Sequence, residues 1–465
     1  MSRPLACAWL LVLAFTRPLL AQDADADAAL AQRCAQIGAL IAPAPSVPTD
    51  AFEPAFLQAV PVPKIVALCA GIHAQGGAVR GTSLVERSSE WQARYDVDLE
   101  RGFGMSLTMV LSSAPPHRVS GLWFGALAPA LPSLDAVAKA IGELPGQTTF
   151  LVARLGDGPP QPVAAHAPEH PCALGSAFKL WILARLASDV RAGTRRWDEV
   201  VPLRAAWRSL PSGRMQDWPD GAPVTLHTLA TAMISESDNT ATDHLLHTLG
   251  RERIEQLLPS LGVSDATARA PGALDPNRPL LGTAELFRLK LSAGDEAATV
   301  WLTLATEAAR RRYLEQDVPE LPLSGAGTDP GAFATPQHVD TIEWFASAAD
   351  LVRTLDALRH LAEPVADASA ARDAAPLLGV LSVNPGLPVA REAFDWAGYK
   401  GGSETGVLSL NWLLRARDGH WYALACASND PGAPVDEARL TGLLSRALTL
   451  LGRLADAAPA AAETR

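Results

Sequence analysis

The sequence predicts two consecutive α+β domains, the second built on an antiparallel sheet assembled from its two ends. Three observations carry this. Residues 28–77 are helix-periodic, with apolar residues every three to four positions and breaks at Pro43, Pro45, Pro48, Pro61 and Pro63. Residues 81–125 alternate apolar and polar side chains and are cut by turn residues, as antiparallel strands are. "TTFLVARL" (148–155) reads as a strand before a long helical region at 176–292, and strands return only at 406–416 and 420–427 around the turn "RDGH". A final helix is expected at 434–453. Helices followed by strands, and a strand, helices, strands and a helix, are both α+β orders.

The 465 residues suffice for two to three domains, and 48% hydrophobic with 19% charged residues is ordinary for a chain that buries a large core. A formal net charge of −11, with no Lys/Arg run longer than the three arginines at 310–312, argues against nucleic acid or an anionic membrane as partner. The opening "MSRPLACAWLLVLAFTRPLLA" has a basic Arg3, an apolar run from Leu5 to Phe15 too short to span a bilayer, and a small residue at Ala21. Residues 1–21 therefore read as a secretory signal peptide, the alternative being an uncleaved anchor. A secreted or periplasmic protein, without a membrane span after cleavage, is expected.

Residues 22–30, "QDADADAAL", read as a flexible leader, 127–147 as a connector with one short helix, and 454–465 as a disordered tail. The two domains are thus expected at 28–145 and 148–453. Within the second, 293–342 mixes helix with the loop "LSGAGTDPGAFATPQ", and 340–362 is helical again. Beyond the signal lie Cys34, Cys69, Cys172 and Cys426. In an oxidising compartment they permit Cys34 with Cys69 and Cys172 with Cys426, and four buried free thiols are the equal alternative. No C-x-x-C or H-E-x-x-H spacing occurs. His244 and His247 read as a solvated helix face, and neither metal nor cofactor is expected.

Three stretches bear chemistry. In "CALGSAFKLWILARLA" (172–187), Ser176 opens an apolar helix and Lys179 lies one turn on, on the same face. The helix N-terminus favours developing negative charge, and apolar surroundings lower a lysine's pKa toward that of a general base. Alone, S-x-x-K is equally a Ser cap with a snorkelling Lys. In "TAMISESDNTATDHLL" (231–246), Ser237-Asp238-Asn239 interrupts two helical runs, presenting a hydroxyl and a carboxamide, or simply capping a helix. In "GYKGGSETGV" (398–407), Lys400 precedes its glycines, which excludes a phosphate-binding P-loop.

Together, in order, these match S-x-x-K, S-D-N and K-T-G. The chain resembles the penicillin-recognising serine enzymes, and most closely the class A β-lactamases, over about residues 148–453. The resemblance implies a β-lactamase/transpeptidase-like α/β domain, an antiparallel sheet with a helical domain, and a small acyl substrate such as a β-lactam, ester or amide. It implies that Ser176 is the acylated nucleophile, Lys179 its activator, Ser237 a proton relay and Asn239 a holder of the substrate amide. Asp238 would tie down the loop, Lys400 would supply charge near the substrate carboxylate, and the N–H groups of Ser176 and Ser403, beside Gly402, would form the oxyanion hole.

Two departures stand out. The class A enzymes carry a deacylating Glu in an E-x-x-L-N loop, and the corresponding stretch, 264–287, has none. Glu252 and Glu255 fall in the preceding helix and Glu285 in the following one, leaving Asp275 or Asn277 as substitutes. Gly401 stands in place of the Thr of K-T-G, so that Gly401→Thr is expected to tighten penicillin acylation. Weak hydrolysis or esterase activity follows, with a D,D-peptidase or a non-hydrolytic penicillin-binding sensor as the alternative. The K-G-G-S-E form with an added first domain is similar to the two-domain members of clavulanic-acid gene clusters. That likeness implies a steroid-isomerase/cyclase-like α+β cone for the first domain, which would shape substrate access or bind a partner. Asp96, Asp98 and Glu100 are read as the solvated face of one of its strands.

Overall fold

The computed structural model describes residues 19–125, 127–263, 274–292, 295–323, 334–363, 368–390 and 393–457. They fall into two compact units, Met1–Leu127 and Ala128–Arg465. The boundary lies earlier than the sequence suggests, and the short helix of the expected connector belongs to the second unit.

In the first unit, helices α1 (Leu19–Ala39), α2 (Pro54–Ala59) and α3 (Val62–Gly76) precede strands β1 (Val79–Ser89), β2 (Gln92–Leu99), β3 (Phe103–Leu111) and β4 (Val119–Phe124). The strands form an antiparallel meander in chain order. Period-two alternation sets its buried face: Met105, Leu107, Met109 and Leu111 point inward, against Leu30, Cys34 and Ile37 of α1 and Ile65, Cys69 and Ile72 of α3. Three register shifts bend β1. Asp96, Asp98 and Glu100 lie on the opposite, wetter face. The expected leader 22–30 is part of α1, whereas residues 1–18 of the expected signal lie outside the described residues. A buried Arg94–Glu86 ion pair was not foreseen.

The second unit starts with α4 (Leu134–Gly142), β5 (Gln147–Leu155) and β6 (Gln161–His166). A helical block follows: α5 (Lys179–Arg191), α6 (Leu226–Ser235), α7 (Asn239–Leu249), α8 (Arg251–Glu255), α9 (Thr283–Lys290), α10 (Glu296–Thr303), α11 (Glu307–Gln316), α12 (Ala348–Leu361) and α13 (Ala368–Ser382). Strands β7 (Phe394–Glu404), β8 (Val407–Ala416) and β9 (Trp421–Asn429) and helix α14 (Glu437–Ala457) close the unit. The five-stranded sheet runs β7-β8-β9-β5-β6, all neighbours antiparallel. The two ends of the unit thus meet where Leu424 of β9 faces Val152 of β5. Its central strands are near-continuous buried runs because helices cover them: β8 is buried at every position but one.

Several expectations change. The region 176–292 is not wholly helical, since Val200–Pro202 pairs with Pro223–Thr225. Strand β6 and helix α13 were not anticipated, and the strand that carries Lys400, β7, begins earlier, at Phe394, and lies at the sheet edge. Most of the 323–337 loop lies outside the described residues, as do 458–465 of the expected tail, whose first residues continue α14. The four cysteines are buried free thiols, not two disulfides. His244 is buried, not solvated: its Nδ1 faces Thr240 O at 2.7 Å while Nε2 accepts from the Arg204 N–H at 2.7 Å. That fixes a neutral ring, and burial holds its pKa down. Among the described residues, no helix is long and apolar enough to cross a membrane.

Candidate active site

The apolar face of α5 brings its first residue to the centre of the second unit. Leu180, Trp181, Ile182 and Leu183 are fully buried, so the chain can only start this helix deep inside. A 3₁₀ turn, Gly175–Phe178, precedes it and carries Ser176. Gly175 has φ of +50°, a conformation that favours glycine. Upstream, Cys172 and Ala173 bridge to Phe345 and Ala346, and Asn429 of β9 clamps Ala173 through both its N–H (2.6 Å) and its C=O (3.0 Å). Phe178 stacks on Trp344 with ring centroids 3.7 Å apart. The turn is therefore held from both sides.

Lys179 is 0% exposed. Its Nζ donates to Ser237 O at 2.7 Å and to Asn239 Oδ1 at 2.6 Å, and lies 3.1 Å from Ser237 Oγ. Burial, reinforced by the charge of Lys400, drives its pKa well below that of an ordinary lysine. Lys400 Nζ donates to the same Ser237 Oγ at 3.0 Å and to Gly401 O at 2.5 Å, and burial pushes its pKa down to about 7. Ser237 thus sits between two lysine amines, with φ of +58°, an uncommon backbone for a residue with a Cβ.

Asp238 explains how that backbone is held. Its Oδ1 caps α7 by accepting the Ala241 N–H (2.8 Å), and its Oδ2 accepts from Arg214 N (2.7 Å) and Met215 N (2.9 Å) of the loop before α6. Asn239 extends the clamp: its N–H reaches Ser212 O at 3.0 Å and its amide nitrogen donates to Leu210 O at 3.0 Å. One turn on, buried Asp243 caps α9 through Thr283 N (2.7 Å) and Ala284 N (2.9 Å), and burial pushes its pKa up to about 6.

The K-G-G-S segment closes the site. A Cβ at Gly402 would meet Leu174 O at 2.1 Å and Ser176 N at 2.5 Å, so only glycine lets β7 pass this close to the nucleophile turn. Ser176, Ser237, Asn239, Lys400, Gly402 and Ser403 line one cavity of about 580 Å³, a size suited to a small-molecule substrate. The sequence-derived residues are thereby brought together, Asp238 and Lys179 lying just behind the wall. Missed were Tyr399, Trp344 and Asn384, which also line the cavity, and Glu404. Glu404 stands within the quoted motif but had no partner to suggest a role. Lys290 supplies one, at 2.5 Å, while also binding Glu343 at 2.6 Å. Burial, with Glu343 beside it, raises the Glu404 carboxyl to about 8.

The flanking glutamates and both substitutes for the absent Glu are engaged elsewhere. Glu285 takes both nitrogens of Arg251 (2.9 and 2.6 Å), and Glu252 and Glu255 bind Arg311. Asn277 spends its amide on both backbone groups of Phe345, and Asp275 caps Asn277 N at 2.8 Å. None of these lines the cavity among the described residues, and 264–273 of the loop lie outside them. The expectation for Gly401→Thr also changes, because a Cβ there would lie 2.2 Å from the Tyr399 hydroxyl.

Residues 133–359 match the family model described as "Beta-lactamase enzyme family". With the sheet order and helical block, this gives the second unit a β-lactamase-like α/β fold. The match takes in Ser176, Lys179 and Ser237–Asn239 and stops short of Lys400. Among solved structures, the chain is similar to a β-lactamase from Sphaerobacter thermophilus (19% identity, 69% of this chain and 97% of that one, TM-score 0.46). It is similar also to the protein PBP-A (14%, 70% and 95%, TM-score 0.44) and to a β-lactamase from Francisella tularensis (13%, 69% and 98%, TM-score 0.43). No curated protein matches the chain.

Proposed function

We propose that the second unit is a serine hydrolase in which Ser176 is acylated by a small substrate, a β-lactam, ester or amide. The observation that carries this is the environment of Lys179: a buried amine between two carbonyl-type oxygens and one hydroxyl. A neutral amine has two N–H donors for the oxygens and one lone pair for a hydroxyl proton. In this reading Lys179 takes the Ser176 proton as Oγ bonds the substrate carbonyl carbon. The N–H groups of Ser176 and Ser403 donate hydrogen bonds to the developing oxyanion, each typically worth about 3 kcal/mol. The proton then passes through the Ser237 hydroxyl to the leaving group, and Lys400 holds that hydroxyl in line. Water completes the cycle: its oxygen bonds the acyl carbon, the bond to Ser176 Oγ breaks, the acyl group leaves as its acid and a water proton returns to Oγ.

With Glu252, Glu255 and Glu285 bound to arginines, acylation is expected to outrun release, so hydrolysis of β-lactams is weak. The same observation favours the second reading, a penicillin-binding protein without turnover or a D,D-peptidase-like enzyme. Intact-mass analysis with a penicillin and a chromogenic ester separates them. Turnover of either probe, lost in Ser176→Ala, is the expected result; a lasting adduct supports the second reading, and no adduct with no turnover refutes both. Two further proposals stand beside this one. Residues 1–21 export the chain, which a mature N-terminus at Gln22 would verify. The first unit is a steroid-isomerase/cyclase-like cone, supported by helices packed on a bent antiparallel meander.

A further inference from the structure

The cavity contains a hydroxyl that no part of this reading uses. A Cβ at Gly401 would lie 2.2 Å from Tyr399 Oη, 3.0 Å from Tyr399 Cζ and 3.3 Å from Leu410 Cδ2. The tyrosine hydroxyl therefore occupies the space into which a side chain at 401 would project. We propose that Tyr399 supplies the hydroxyl missing at Gly401, and binds the substrate carboxylate beside Lys400. This rests on the reading of Ser176 as the acylated nucleophile.

Three features place the group. Tyr399, Lys400 and Gly401 line the same cavity, in which Lys400 is the sole lysine or arginine among the described lining residues. An anion held there needs neutral donors besides that one cation. The ring is also clamped. Trp412 lies against it with centroids 4.8 Å apart, and is itself fixed by its Nε1–H donating to Pro385 O at 2.9 Å. A Cβ at Gly386 would also come within 2.7 Å of the ring, and Gly386 has φ of +70°, so glycine is what lets the loop close on it. Finally the phenol stays a donor: burial, and secondarily the exposed Glu437, push its pKa up from the ordinary tyrosine value. The paired residues Tyr399 and Gly401 are thus one device: the glycine makes room for the hydroxyl that replaces its own side chain.

The test measures acylation rate constants of wild type and Tyr399→Phe with benzylpenicillin, its methyl ester and p-nitrophenyl acetate. The phenylalanine keeps the ring and its packing. Penicillin acylation is expected to fall by about tenfold or more, the usual loss for a hydrogen bond to a charged group. The methyl ester and the acetate should change by less than about twofold, since neither carries the anion. An equal fall with penicillin and its ester, or no fall, overturns the assignment of Tyr399, as does a wild type acylated by the acetate alone. A wild type acylated by none of the three overturns the serine-hydrolase reading itself.

Discussion

At the scale of single residues, the site turns on protonation. Lys179 can act as a base only while neutral, and burial together with the Lys400 charge keeps it so. Lys179→Met is expected to lower penicillin or ester acylation by about 10²-fold or more, the ordinary contribution of a positioned base, read as the rate of adduct formation by mass. Gly401→Thr makes the opposite point. From sequence the substitution restores a hydroxyl and should help. In the structure the new Cβ falls 2.2 Å from Tyr399 Oη, and Trp412 and the Gly386 loop hold that ring. The expected result is no gain in acylation, measured against the same penicillin.

At the scale of elements, the site is a meeting of three segments: the turn before α5, the loop before α7 and the second half of β7. Each meeting depends on a group that carries no chemistry. Gly402→Ala would drive a methyl into Leu174 O and Ser176 N, forcing β7 off the turn. It is expected to cost about 1–3 kcal/mol in urea unfolding and to abolish labelling of Ser176. Asp238→Ala removes the acceptor of three backbone N–H groups, those of Arg214, Met215 and Ala241. A loss of about 2 kcal/mol or more is expected, with slower labelling because Ser237 loses its support.

At the scale of the whole molecule, the buried titratable groups set how stability follows pH. Glu404 (raised to about 8) and Asp243 (raised to about 6) hold protons in the folded state that the unfolded chain has already released. Each therefore removes stability as pH climbs from about 4 to its folded value. Lys400, lowered to about 7, does the reverse: between pH 7 and about 10 the unfolded chain binds the extra proton, and stability rises. Lys179, also held neutral by burial, acts in the same sense as Lys400 and opposes the loss from the two carboxyls. Relative to wild type, Glu404→Gln is expected to lose less stability, or gain more, as pH rises from 5 to 8, with the slope above about pH 8 unchanged, which pH-resolved urea unfolding curves would reveal.

The outline of helices and strands, the burial of α5 and the three motifs were legible from sequence, because periodicity and short spacings are local properties of the chain. Ser176 with Lys179, and Ser237 with Asn239, needed only one turn of helix or one capped loop to be placed. What the tertiary structure alone decided involves partners far apart in the chain. Asn277 looked available until Phe345, far along the chain, claimed both ends of its amide. Glu404 had no meaning until Lys290 and Glu343 came beside it. His244 looked solvated until Arg204 and Trp207 covered it. The glycine at 401 looked like a loss, since a sequence cannot show that the space its side chain would fill is already taken. Hydrogen-bond satisfaction and close packing bind residues across the whole fold, and they decide which of the chain's polar groups remain free to act.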